Sequence, residues 1–165
     1  MTDFARLIGA LGAHGVEFIL IGGVAATVHG ATRLTQDVDV VYARGPENLQ
    51  RVIDALTPFD PYPRGAPAGL PFRWDVVTLA HGLNFTLTTT VGDIDLLGEI
   101  VGGGGHADLL PDTMMVQVFG WACRCLTLER LIAVKRAAGR PKDYEALAEL
   151  EALRKARRPL EGSDA

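Results

Sequence analysis

The stretch FILIGGVAATVHGATRLTQDVDVVY, Phe18 to Tyr42, decides how this chain folds. It holds an apolar, β-branched run that ends in Gly22-Gly23, then small residues, then a second apolar run interrupted by Asp37 and Asp39. The first run reads as a strand over 17–21, broken by the double glycine and followed by a short helix over 24–29. The second reads as a strand over 37–42. Side chains alternate along a strand, so Asp37 and Asp39 share one face while Val38 and Val40 lie opposite. Two carboxylates held that close repel, and each raises the other's pKa. In an apolar strand such charge is costly unless something positive sits beside it. A hard divalent cation is one such partner, because it favours both ionised forms. Mg²⁺ is commonly held by one or two carboxylates together with waters and substrate phosphates.

Outward from this segment, Phe4, Leu7, Ile8 and Leu11 recur at helical spacing and predict an amphipathic helix over 3–13. A helix over 46–56 starts with Pro46 in its first turn and turns Leu49, Val52, Ile53 and Leu56 inward. Five prolines between Pro58 and Pro71 predict a surface loop. A short helix is expected over 75–81, then a hairpin of strands 85–90 and 93–97 about Val91-Gly92. Gly102 to Gly105 reads as a flexible run. A second hairpin, 114–119 with 121–126, turns at Gly120, and helices over 128–138 and 143–154 flank the sequence GRPK. The expected architecture is α/β: a mixed twisted sheet flanked by helices, with a helical C-terminal end. One domain is expected over 1–155, with 156–165 a frayed tail.

Composition narrows the function classes. At 165 residues, 48% hydrophobic and 22% charged, the chain has the make-up of an ordinary globular domain. A net charge of −4 argues against bulk electrostatic binding of nucleic acid, although nine lysines and arginines fall in the last 36 residues. The N-terminus lacks the basic and long apolar regions of a signal peptide, and no run approaches the ~18 apolar residues of a membrane span, so a cytoplasmic location without membrane partners is expected. Cys123 and Cys125 are expected as reduced side chains of a strand, since a lone C-x-C is a weak zinc motif. The four histidines are scattered without metal spacing, and Ser163, the one serine, lies in the tail, which excludes a Ser-His-Asp hydrolase. Tyr62, Phe72 and Trp74 around the proline-rich loop read as core packing, with stacking on a base as the other use.

Asp95, flanked by Ile94 and Leu96, supplies a third carboxylate in an apolar strand. Asp93 shares its face but lies nearer the turn, where solvation or capping is expected. The Gly22-Gly23 turn exposes backbone N–H groups and lets a phosphate approach closely. It is equally a tight strand-to-helix turn, and it matches neither the dinucleotide-binding nor the Walker A pattern.

Together, GG followed by thirteen residues and DVDV, with a later IDL, resembles the nucleotidyltransferase fold shared with DNA polymerase beta. The R-x-T-x-D-hydrophobic-D run of Arg33, Thr35, Asp37 and Asp39 is similar to small bacterial AbiEii-type nucleotidyltransferases. So is LIAVKRAAGRPKDYEAL near the C-terminus, which contains Lys135 and the Lys142-Asp143 pair. The resemblance implies that Asp37 and Asp39 ligate two Mg²⁺ ions, or Mn²⁺ in their place. Asp95 would be third ligand and base, and Gly22 and Gly23 would bind phosphate. Arg33, Thr35, Lys135 and Lys142 become candidates to contact the nucleotide. Lys135 reads equally as a solvated helix residue, and Asp143 as a local helix cap. The implied activity is transfer of a nucleoside monophosphate from an NTP such as ATP to a hydroxyl of an RNA, protein or small-molecule acceptor. The implied setting is toxin–antitoxin or phage defence, with a cognate toxin or antitoxin as partner. One departure is Gly23, where many active members have serine. The competing expectation is a catalytically silent module of the same fold that binds a nucleotide or a partner protein, antitoxin-like or regulatory.

Overall fold

The computed structural model describes residues 1–163. Strands β1 (Phe18–Ile21) and β2 (Asp37–Tyr42) are joined by helix α2 (Gly22–Val28) and pair antiparallel. They form the middle of a seven-stranded sheet. Beside β2 lies β5 (Gly92–Leu97), in parallel register, then β4 (Asn84–Thr89) and the two-residue edge strand β3 (Tyr62–Pro63). Beside β1 lies β9 (Trp121–Leu126), also parallel, and then β8 (Thr113–Val118) at the other edge. The order is therefore β3-β4-β5-β2-β1-β9-β8.

The alternation read from the sequence sets the layers. Val38, Val40 and Ile94 are fully buried on one face of the sheet. Helices α1 (Phe4–Ala13) and α3 (Pro46–Leu56) pack against each other, with Leu7, Ile8 and Leu11 of α1 and Leu49, Val52 and Leu56 of α3 in the core. Asp3 caps α1 by accepting from the Arg6 N–H at 3.1 Å. Helix α6 (Leu128–Ala138) packs against α2 and against α7 (Tyr144–Ser163), and its Leu131, Val134 and Lys135 border a cleft shared with the aspartates of β2 and β5. Helix α4 (Val76–His81), capped by Asp75, lies against α3.

Four expectations are corrected. Helix α2 starts at Gly22, two residues early, so the double glycine is its first turn rather than a break. The proline-rich segment is not all loop: residues 57–59 form a 3₁₀ turn and Tyr62–Pro63 joins the sheet as β3. The glycine run is structured too. Glu99–Ile100 (β6) pairs with Gly104–Gly105 (β7), which leads into α5 (His106–Leu109), and a Cβ on Gly102 would overlap Ala137. Finally, α7 continues past residue 154 to Ser163; residues 164–165 of the expected tail lie outside the described residues. Among the described residues, no helix is long and apolar enough to cross a membrane.

Candidate active site

Parallel pairing of β2 with β5 places Asp37 beside Asp93 and Asp39 beside Asp95. Neighbours in register point to the same side of a sheet, so four carboxylates converge on one patch. Ligand oxygens of Asp37, Asp39 and Asp95 lie within 4.8 Å of one another. Asp39 is more enclosed than Asp37. Burial, then the charges of Asp37 and Asp95, push its pKa up to about 8, with a hydrogen bond to Asp95 adding to the effect and Lys135 opposing it. Burial and the charge of Asp95 likewise raise Asp37, while Arg64 pulls it back. At neutral pH the cluster therefore retains a proton that a bound cation would displace.

Gly22 abuts this cluster. Its φ of +63° is one that glycine adopts freely, and a Cβ there would overlap the Asp39 carboxylate. At Gly23 a Cβ would instead overlap the Thr35 side chain, whose Oγ1 donates to the Asp37 carbonyl at 3.2 Å. The double glycine thus lets the turn close against the aspartate strand and the residues leading into it.

Arg64, immediately after β3, reaches the acids from the sheet edge. Its Nη2 donates to Asp95 Oδ1 at 2.8 Å, its Nε faces Asp93 Oδ2 at 3.3 Å, and its Nη1 lies 3.5 Å from Asp37 Oδ2. Asp93 is therefore part of the charged patch and not merely a solvated turn residue.

A cleft of about 690 Å³ opens in front of Asp37, Asp39 and Asp95. Gly22 and Gly23 line one side, and Asn84 and Thr86 of β4 line another. The facing wall carries Lys135 from α6, with Arg140 and Lys142 from the segment that follows. Asp143 is 8% exposed and holds two of these cations, Arg140 Nε at 2.6 Å and Lys135 Nζ at 3.7 Å, so it has more than local capping to do. Arg33 stands apart. It pairs with Glu145 at 2.9 Å and lines a smaller adjoining cavity with Thr35, Lys142 and Glu149.

No protein-family model matches this sequence, and no curated protein matches it. Among solved structures, the chain is similar to a Thermotoga maritima protein whose crystal structure is described as that of a "putative nucleotidyltransferase". The match has a TM-score of 0.50 at 14% identity and covers 95% of this chain and 89% of that one. The chain has a nucleotidyltransferase-like fold. Within that fold, Gly22, Gly23, Asp37, Asp39, Asp95, Lys135 and Lys142 all border the main cleft, whereas Arg33 and Thr35 face the adjoining cavity. Sequence reasoning missed Arg64, Asp93, Arg140, Asn84 and Thr86 as neighbours of the site. For Arg140 the basic C-terminal clustering was a usable signal. For Arg64 there was none, since a lone arginine among prolines and glycines has no pattern.

Proposed function

We propose that this chain is a metal-dependent nucleotidyltransferase that moves a nucleoside monophosphate from an NTP to a hydroxyl of an acceptor. The observation that carries the reading is the convergence of three strand-borne carboxylates within 4.8 Å, in a cleft whose opposite wall is cationic. The donor set fits Mg²⁺ or Mn²⁺, being all-oxygen and acidic. A bound cation would neutralise phosphate charge and acidify a coordinated hydroxyl.

The chain's residues have separable roles in this reading. Asp37, Asp39 and Asp95 hold the cation. Lys135, Lys142 and Arg140 neutralise the triphosphate from the facing wall, and the Gly22-Gly23 backbone lets it approach the turn. The acceptor oxygen bonds to the α-phosphorus, the bond from that phosphorus to the bridging oxygen breaks, and pyrophosphate leaves. Asp95 takes the acceptor proton. Most of the work is positioning and electrostatics, as in other phosphoryl transfers. The AbiEii-type likeness extends the reading to a toxin–antitoxin or defence setting with a cognate partner protein. That extension rests on the Arg33–Asp39 run and the Lys135–Asp143 segment.

The test uses all four NTPs, each labelled at the α-phosphate, with Mg²⁺ or Mn²⁺ and fractionated lysate, comparing wild type with Asp39→Asn. Label on RNA, protein or a small molecule with wild type alone identifies the transferase and its acceptor class. If NTPs bind equally to both proteins and no fraction is labelled, the silent binding module replaces this reading.

A further inference from the structure

The resemblance to polymerase-type enzymes carries an expectation of two cations, but the acid patch already contains one fixed positive charge. Its four carboxylates fall into two register pairs, Asp39 with Asp95 and Asp37 with Asp93. The Arg64 guanidinium donates a hydrogen bond to Asp95 at 2.8 Å and spans the second pair more loosely, 3.3 Å from Asp93 and 3.5 Å from Asp37. The first pair, with Asp37, makes up the set whose oxygens lie within 4.8 Å. Two cation positions are thus distinguishable: an inner one at Asp37, Asp39 and Asp95, and an outer one bounded by Asp37, Asp93 and Asp95, where Arg64 sits.

Arg64 is built into this place and not loosely swung over it. Its backbone N–H donates to the Thr86 carbonyl at 3.0 Å, which extends the β3–β4 pairing by one residue. Its Nη2 donates also to the Leu87 carbonyl at 2.8 Å, fixing the guanidinium plane against the sheet. The preceding Tyr62 hydroxyl ties down the following loop by donating to the Pro67 carbonyl and accepting from the Leu70 N–H. A planar fork with several donors suits three carboxylates at fixed spacing better than a lysine would.

We propose that Arg64 stands in for the second cation, so that this chain binds a single divalent ion, at the inner position. The inference rests on the metal-dependent reading above. It also accounts for Asp93, which lies outside the inner ligand set but balances the guanidinium. Arg64 is in this sense a positioning residue: it holds Asp37 and Asp95 at the spacing that one ion can bridge.

The test is Mn²⁺ titration of the full chain at pH 8, without nucleotide, followed by electron paramagnetic resonance and calorimetry, for wild type and Arg64→Met. One ion in wild type and two in Arg64→Met, with spin–spin coupling between ions in the variant alone, is the expected result. Two coupled ions in wild type overturn the proposal, and this result stands even if Arg64→Met does not fold. One ion in both proteins also overturns it, since the outer position would then be no cation site. Binding only after removal of Arg64 overturns it in favour of a blocking role. Absence of binding in both proteins removes the metal reading itself, and this inference with it.

Discussion

Thr35 occupies the space that a side chain on Gly23 would need: a Cβ built there would overlap Thr35 Cβ and Oγ1. Position 23 therefore has room for glycine and not for a larger residue while Thr35 stands there. Gly23→Ser alone should cost about 1–3 kcal/mol through overpacking. Combined with Thr35→Gly it should recover at least ~1 kcal/mol of that loss relative to additivity. Urea denaturation of the two single variants and the double variant measures the coupling. Strict additivity would mean that the two positions do not compete for space.

The neighbouring glycine makes a harsher demand. Alanine at position 22 would adopt a φ near +63° and collide with the Asp39 carboxylate. We expect Gly22→Ala to lose about 1–3 kcal/mol from backbone strain and roughly 10–100-fold in Mn²⁺ affinity as Asp39 is displaced. Thermal unfolding and Mn²⁺ titration should both move. Unchanged affinity in a folded variant would show that Asp39 is not held by this contact.

Asp143 links Lys135 and Arg140 across the cleft wall, and it is nearly buried while Arg140 is half exposed. Removing it leaves a lysine and an arginine without their anchor. The penalty for breaking a buried pair is therefore reduced here by solvent, to about 1–3 kcal/mol for Asp143→Ala. NTP binding should weaken about tenfold, because orientation of the cationic wall is lost while its charge remains. Equilibrium binding of the four NTPs checks this; unaltered affinity would assign Asp143 to stability alone.

Strands and helices with a clear period were legible in the sequence. Strand β2 and helix α3 match their expected bounds, Asp37–Tyr42 and Pro46–Leu56, because alternation and a first-turn proline are local signals. Asp95 was legible for the same reason, as a charge in an apolar run. What local pattern could not reveal was pairing. That Asp93 lies beside Asp37 depends on β2 and β5 being parallel neighbours, a fact set by the whole sheet. Strand β3 is two residues long and contains a proline at the sheet edge, so it shows no alternation, and Arg64 was lost with it. The glycine run at 102–105 read as flexible because its packing partner, Ala137, is distant in sequence.

The raised pKa of Asp39 predicts opposite pH dependences for the metal-free and metal-bound protein. Folding lifts this carboxyl from an ordinary value of 3.8 to about 8, so the folded state favours the protonated form. Its contribution to stability is complete below about pH 4 and declines as pH rises, until it is gone above about pH 8. In EDTA, the melting temperature of wild type should therefore fall between pH 6 and 9. Added Mg²⁺ should reverse the trend, because the ion binds the ionised form and its affinity can rise up to about tenfold per pH unit below the pKa. The Mg²⁺-induced rise in melting temperature should thus be larger at pH 9 than at pH 6. Asp39→Asn removes the titrating group, flattening the metal-free profile and weakening the Mg²⁺ response. A wild-type profile that is flat in EDTA and indistinguishable from that of Asp39→Asn would show that Asp39 is ionised in the folded protein without a cation.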